Sequence, residues 1–166
     1  MTAHRPLPFD PIAEAARIWE QRWDGAPQMR AVTSLMRVHQ LVLMELDELL
    51  RPLGLTFARY EVLVLLSFSR RGALPLGKIG QRLQVHATSV TPLVKRLEAA
   101  GLIVRNPHPE DGRAVLASIT PHGREVMDRA TEAILGARFA LGSLSEDDCD
   151  RLTDLLTRPR AAAGDF

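Results

Sequence analysis

The run LGKIGQRLQVHATSVTPLVKRLEAAGLIVR, Leu76 to Arg105, changes character twice. Gly77 to Leu83 suits a short helix, and Gln84-Val85-His86 reads as a turn. A second helix is expected from about Thr88 to Ala100, closed by Gly101, which tolerates the left-handed conformation of a helix end. Val90, Leu93, Val94 and Leu97 recur at helical spacing and form its inner side. Pro92 is tolerated most easily in a first turn, where amides have no intrahelical partner, so a late start near Thr88 or Ser89 is expected. Beyond Gly101 the period shortens to that of a strand. Leu102-Ile103-Val104-Arg105 and Val115 to Ile119 are β-branched-rich runs. They flank Asn106 to Gly112, which holds Pro107, Pro109, Asp111 and Gly112, as in a hairpin with a long polar tip. Short helix, turn, helix and hairpin in this order make a helix-turn-helix followed by a wing.

The flanks are helical. Pro11 to Trp23 carries apolar residues at helical steps, with Asp10 as N-cap and Pro11 at the first position. Gly25-Ala26-Pro27 breaks the chain. In Gln28 to Leu50, Val32, Leu35, Met36, His39, Leu43, Leu46 and Leu50 form one face, and Leu41, Val42 and Met44 widen it. A helix this apolar is buried on more than one side, which suits a central or intersubunit position. Thr56 is expected to cap a helix from Phe57 to Arg70, with Tyr60, Leu63, Val64 and Ser67 inward. Ala73 to Leu76 suits an edge strand. Thr120-Pro121 opens a helix to about Leu141, and Ser145 with Asp148 resembles a capping box for a last helix to Thr157. The expected class is mainly α with a small β-wing: a winged helix-turn-helix with a helical dimerisation region. Its parts would be an N-terminal extension with one short helix (1–27), a helical dimerisation region (28–53 plus 121–158), a DNA-binding lobe (54–120) and a flexible tail (159–166).

Composition narrows the function classes. The 166 residues are 46% hydrophobic and 25% charged, ordinary for a globular domain. No apolar run is long enough to cross a bilayer, and Met1 to Asp10 has no secretory hydrophobic core, so a cytoplasmic setting without membrane partners is expected. Cys149, the single cysteine, stands among Asp147, Asp148 and Asp150, which disfavour a reactive thiolate. Neither a catalytic constellation nor zinc-ligand spacing is visible, so no enzyme, metal or cofactor is expected. Net charge is +1, yet Arg51 to Arg113 holds ten Lys/Arg against four acids, a net of +6 that leaves −5 for the rest. A basic middle between acidic ends suits a lobe that meets double-stranded DNA.

At the tip of the second helix stand His86, Thr88, Ser89 and Thr91, short polar groups able to reach bases or phosphates, and Lys95 lies on the same outer side. Helix capping competes for the Thr88 and Ser89 hydroxyls, and both roles can coexist.

The quoted run resembles the helix-turn-helix of the MarR (multiple antibiotic resistance regulator) family. Asp111-Gly112-Arg113 and Ser118 to Gly123 resemble its wing and the entry to its dimerisation helix, and Leu144 to Asp148 with Leu152 to Leu156 its final helix. The resemblance implies a homodimer whose terminal helices form the interface and whose two winged lobes bind a near-palindromic site. It implies that Arg113 enters a minor groove, with Asp111 orienting it. It implies a transcriptional regulator, commonly a repressor, released by a small aromatic or anionic effector, and it places Trp19, His39, Arg59 and Glu61 near the effector. The extra helix bearing Trp19 is reminiscent of the urate-responsive branch. Trp19 and Glu61 fit two of that branch's ligand positions, Arg113 or Arg105 fits a wing arginine, and Leu93 stands where an arginine is usual. The alternative is a winged helix used for protein contact without DNA.

Overall fold

The structure, a computed structural model, describes residues 7–83, 87–107 and 114–166, and of Ala87 and Thr88 the backbone alone. Seven helices and a three-stranded sheet follow one another among these residues: α1 (Pro11–Trp19), α2 (Ala26–Leu50), α3 (Phe57–Ser67), β1 (Ala73–Pro75), α4 (Leu76–Leu83), α5 (Ala87–Ala99), β2 (Ile103–Pro107), β3 (Val115–Ile119), α6 (Pro121–Gly136) and α7 (Glu146–Ala162). No helix here is long and apolar enough to cross a membrane. Two compact units divide the chain, residues 1–44 and 45–166.

In the first unit the Asp10 side chain accepts from the Ile12 amide at 2.9 Å and starts α1 as expected. The helix ends at Trp19, short of Trp23. The Trp19 indole N–H donates to the Asp24 carbonyl at 2.8 Å, and the two tryptophan rings meet at 4.9 Å between centroids. That closes the turn ahead of Gly25, whose φ of +78° suits a residue without Cβ. The part of α2 within this unit leaves Val32, Leu35, Met36, Val38, Leu41 and Met44 exposed.

The second unit contains the end of α2, where Leu46 and Leu50 are buried. Thr56 stands at the N-cap of α3 but its hydroxyl does not cap. Asp47, ten residues back, takes that role by accepting from the Phe57 amide at 2.7 Å. Tyr60 and Leu63 are buried as expected, joined by Val62 and Leu66, whereas Val64 and Ser67 are only half-buried. The sheet order is β1-β3-β2, with both neighbours antiparallel to β3 and β1 at an edge.

α6 begins on a tight joint. The Thr120 hydroxyl accepts from the Gly123 amide at 2.9 Å and donates to the Gly101 carbonyl at 2.8 Å. The α6 backbone passes so close to β2 that a Cβ on Gly123 would overlap the Leu102 carbonyl. Val126, Ala130 and Ile134 then face inward, and the Tyr60 hydroxyl meets Thr131 Oγ1 at 3.0 Å. Because the Thr131 hydroxyl donates to Met127, Tyr60 is the donor of that bond.

Beyond Gly136 the expected helix to Leu141 is interrupted. Arg138, Phe139 and Ala140 take φ of 49°, 54° and 59°. Each such left-handed residue costs roughly 1–2 kcal/mol without glycine. The capping box expected at Ser145 and Asp148 is present, but α7 continues past Thr157 to Ala162. Its end is held by an Arg160–Asp165 ion pair at 2.6 Å.

Candidate nucleic-acid interface and a neighbouring cavity

α4 and α5 form the helix-turn-helix pair. Ile79 and Gly80 are buried on α4, and Val90, Val94 and Leu97 on α5, while Leu93 is half-buried. Ser89, Thr91, Pro92, Lys95 and Arg96 are exposed. One side of α5 is therefore sealed and the other presents hydroxyls, a proline ring and two cations. α5 starts at Ala87, one residue ahead of the expected Thr88, and runs through Pro92. Pro92 sits in the second turn, so it leaves the Thr88 carbonyl without its helical donor. Ser89, Thr91 and Lys95 thus share one accessible element. His86, Asp111 and Arg113 lie outside the described residues, as does the Thr88 side chain.

The stem of the hairpin is fixed to the second helix of the pair. Arg105 on β2 binds Glu98 on α5 at 2.6 Å, with both side chains about one-third exposed. The hydrogen bond from Arg105 holds the Glu98 carboxyl below the usual carboxylate range, and the same contact raises the guanidinium. Arg105, read from sequence as a candidate wing arginine, is committed to this stem contact. The seven-residue separation across Gly101 gave no helical-spacing signal that could have revealed it.

A cavity of about 440 Å³ opens beside this pair in the second unit. Tyr60 and Glu61 of α3, Leu83 of α4, Thr131 of α6 and Phe139 of the left-handed turn line it. Burial pushes the Glu61 carboxyl above the usual carboxylate range. Arg59 is engaged elsewhere: its guanidinium donates to the Gly54 carbonyl at 2.8 Å and to Thr56 Oγ1 at 3.2 Å. Trp19 and His39 belong to the first unit, where the Trp19 N–H is already satisfied. His39, read from the sequence as part of a buried apolar face, is exposed. The reading missed Phe139, because only a break in α6 turns it to the cavity. Among the described residues no cluster of three or more His, Cys, Asp or Glu could hold a metal ion.

Two packed helices followed by a hairpin sheet, with the outer side of the second helix free, define a winged helix-turn-helix protein. Known proteins carry the same plan. The MarR family model matches residues 55–115. The organic hydroperoxide resistance transcriptional regulator of Bacillus subtilis (strain 168) is 34% identical over 108 residues, 65% of this chain and 71% of that protein. The chain belongs to the MarR family, whose matched members are transcriptional regulators. Sco5413, a MarR family transcriptional regulator from Streptomyces coelicolor, superposes with a TM-score of 0.80 at 49% identity, over 86% of this chain and 99% of that one. Sco3205 of the same organism, solved in complex with DNA, shares the fold with a TM-score of 0.77 at 23% identity, over 85% and 94% of the two chains.

Proposed function

We propose that this chain is a homodimeric, sequence-specific DNA-binding regulator, a repressor rather than an enzyme, released from a near-palindromic operator by a small aromatic or anionic effector. One observation carries the reading: α5 is sealed on its inner side and presents Ser89, Thr91, Pro92, Lys95 and Arg96 on its outer side. Such a helix fits a major groove, where hydroxyls reach base edges and a lysine reaches a phosphate or a guanine. Ser89, Thr91 and Lys95 would make these contacts, joined through the family resemblance by His86 and Thr88. Arg113, oriented by Asp111, would enter the neighbouring minor groove, whose negative potential attracts a guanidinium.

Pro92 occupies the outer side between Thr91 and Lys95, so contacts concentrate at the two ends of that face. The exposed apolar side of α2 supplies a surface for a second copy, and two lobes bound together gain affinity through effective concentration. The cavity beside α4 supplies room for the effector. An effector shifts DNA binding only if it favours one lobe arrangement over another.

Selection of bound fragments from a random DNA library tests the proposal. Enrichment of an inverted repeat with half-sites ~34–36 Å apart is expected. Arg113→Ala should then weaken binding to that site about tenfold or more while sedimentation still reports a dimer. No enriched sequence, or an unchanged affinity for Arg113→Ala, contradicts it.

A further inference from the structure

The cavity beside α3 has a pronounced chemical sign. Three of the protein's five phenylalanines, Phe57, Phe68 and Phe139, and its single tyrosine, Tyr60, contribute to one wall or another. Tyr60 is buried and Phe57 half-buried in its wall, while Phe68 and Phe139 stand exposed at its rim. Its one charged lining residue is Glu61. Among the described residues no Lys, Arg or His lines it, and burial alone, with no partner, acts on the Glu61 carboxyl. Arg59, the nearest cation on the same helix, is already bound to Gly54 and Thr56.

We infer that this cavity binds a small aromatic ammonium, whose charge faces Glu61 and whose apolar body fills the aromatic-lined volume. An effector role for this cavity rests on the functional reading above; its preference for positive charge does not. A half-buried carboxylate with no countercharge among the described residues is held in an unfavourable setting, and an ammonium relieves it. Aromatic faces around the same volume attract a cation as well. A carboxylate ligand would meet the opposite: like charge at Glu61 and no guanidinium to pair with. A neutral aromatic of the same shape would gain the apolar burial alone.

Three probes of one shape separate these cases: 1-naphthylmethylamine, 1-naphthylmethanol and 1-naphthoate, titrated calorimetrically into the full chain at neutral pH. The amine should bind about tenfold more tightly than the alcohol, and the naphthoate most weakly. Glu61→Gln should bring amine and alcohol within about threefold of each other while the alcohol's own affinity holds. Retained alcohol binding shows that the cavity is intact, so a lost preference cannot be put down to misfolding. A naphthoate that binds best, an amine preference that survives Glu61→Gln, or no binding of any probe overturns the inference. Binding to the selected operator without probes is measured in parallel. Normal DNA binding with no probe binding sinks only the cavity assignment. Amine-selective binding by a protein that ignores DNA sinks only the regulator reading.

Discussion

α5 and the first half of α2 both turn a large face outward, and the two faces are opposite in kind. On α5 the outward groups are Ser89, Thr91, Pro92, Lys95 and Arg96, above a sealed underside. On α2 they include Val32 at 55% and Met36 at 58% exposure, with Leu35, Val38 and Leu41 between and beyond them. Water accepts the first face without penalty. The second leaves apolar area wet that would each contribute about 25 cal/mol per Å² if covered. Under the proposed function the two faces have different partners: a polyelectrolyte for α5 and a second copy of this chain for α2.

Substitutions sharpen the contrast. The largest effect is expected inside the second unit, at Gly123. Gly123→Ala forces a Cβ onto the Leu102 carbonyl, and ~3 kcal/mol or more of stability should be lost, read as a lowered midpoint in urea. A change on α2 should do the reverse. Met36→Glu is expected to leave the urea midpoint of the second unit near the parent's while sedimentation reports monomers. DNA affinity should then fall about a hundredfold through lost effective concentration. If Met36→Glu stays dimeric, the α2 face has another use.

Lys95→Ala comes next in size. It should weaken binding to every DNA sequence by a similar factor and reduce the salt slope by about one. Base-specific loss at a single position would instead make Lys95 a reader of guanine.

Glu98 and Glu61 give the smallest effects, with opposite signs. Glu98 is held below its ordinary range by Arg105, so its contribution is present above the unfolded carboxyl's value and fades as pH falls through the depressed folded one. Glu98→Gln should therefore lower the melting midpoint at neutral pH and matter less in acid. It should also cost a few-fold in DNA affinity, because the hairpin stem loses its tie to α5. Glu61 is raised by burial, so its favourable contribution exists below the unfolded value and is lost as pH rises through the raised folded one. Glu61→Gln should raise the midpoint at neutral pH and leave it unchanged in acid.

Much of the architecture is legible in the chain because it is local. The caps at Asp10 and Ser145, the periodicity of α5 and the shift to strand spacing after Gly101 each lie within a few residues of their cause. What escaped the reading depends on partners distant in sequence or on a broken pattern. Asp47 caps α3 from ten residues away, and Thr131 meets Tyr60 across 71. Arg138, Phe139 and Ala140 do not announce a left-handed turn, since none of the three is a glycine or an asparagine. Ser89, Thr91 and Lys95 were readable as exposed polar residues on a two-faced helix. The cavity was readable only as Glu61, because its aromatic residues come from α3 with the residue that follows it and from the distant turn at Phe139.

The central claim is that α5 and the wing, supplied twice, grip duplex DNA through its phosphates as well as its bases. Its most direct test is the affinity of the dimer for the selected operator as a function of salt. A straight line in log affinity against log salt is expected, with a slope of roughly −0.9 for each phosphate neutralised and a magnitude that requires several. A flat line would contradict the claim and make the helix-turn-helix a surface for protein contact.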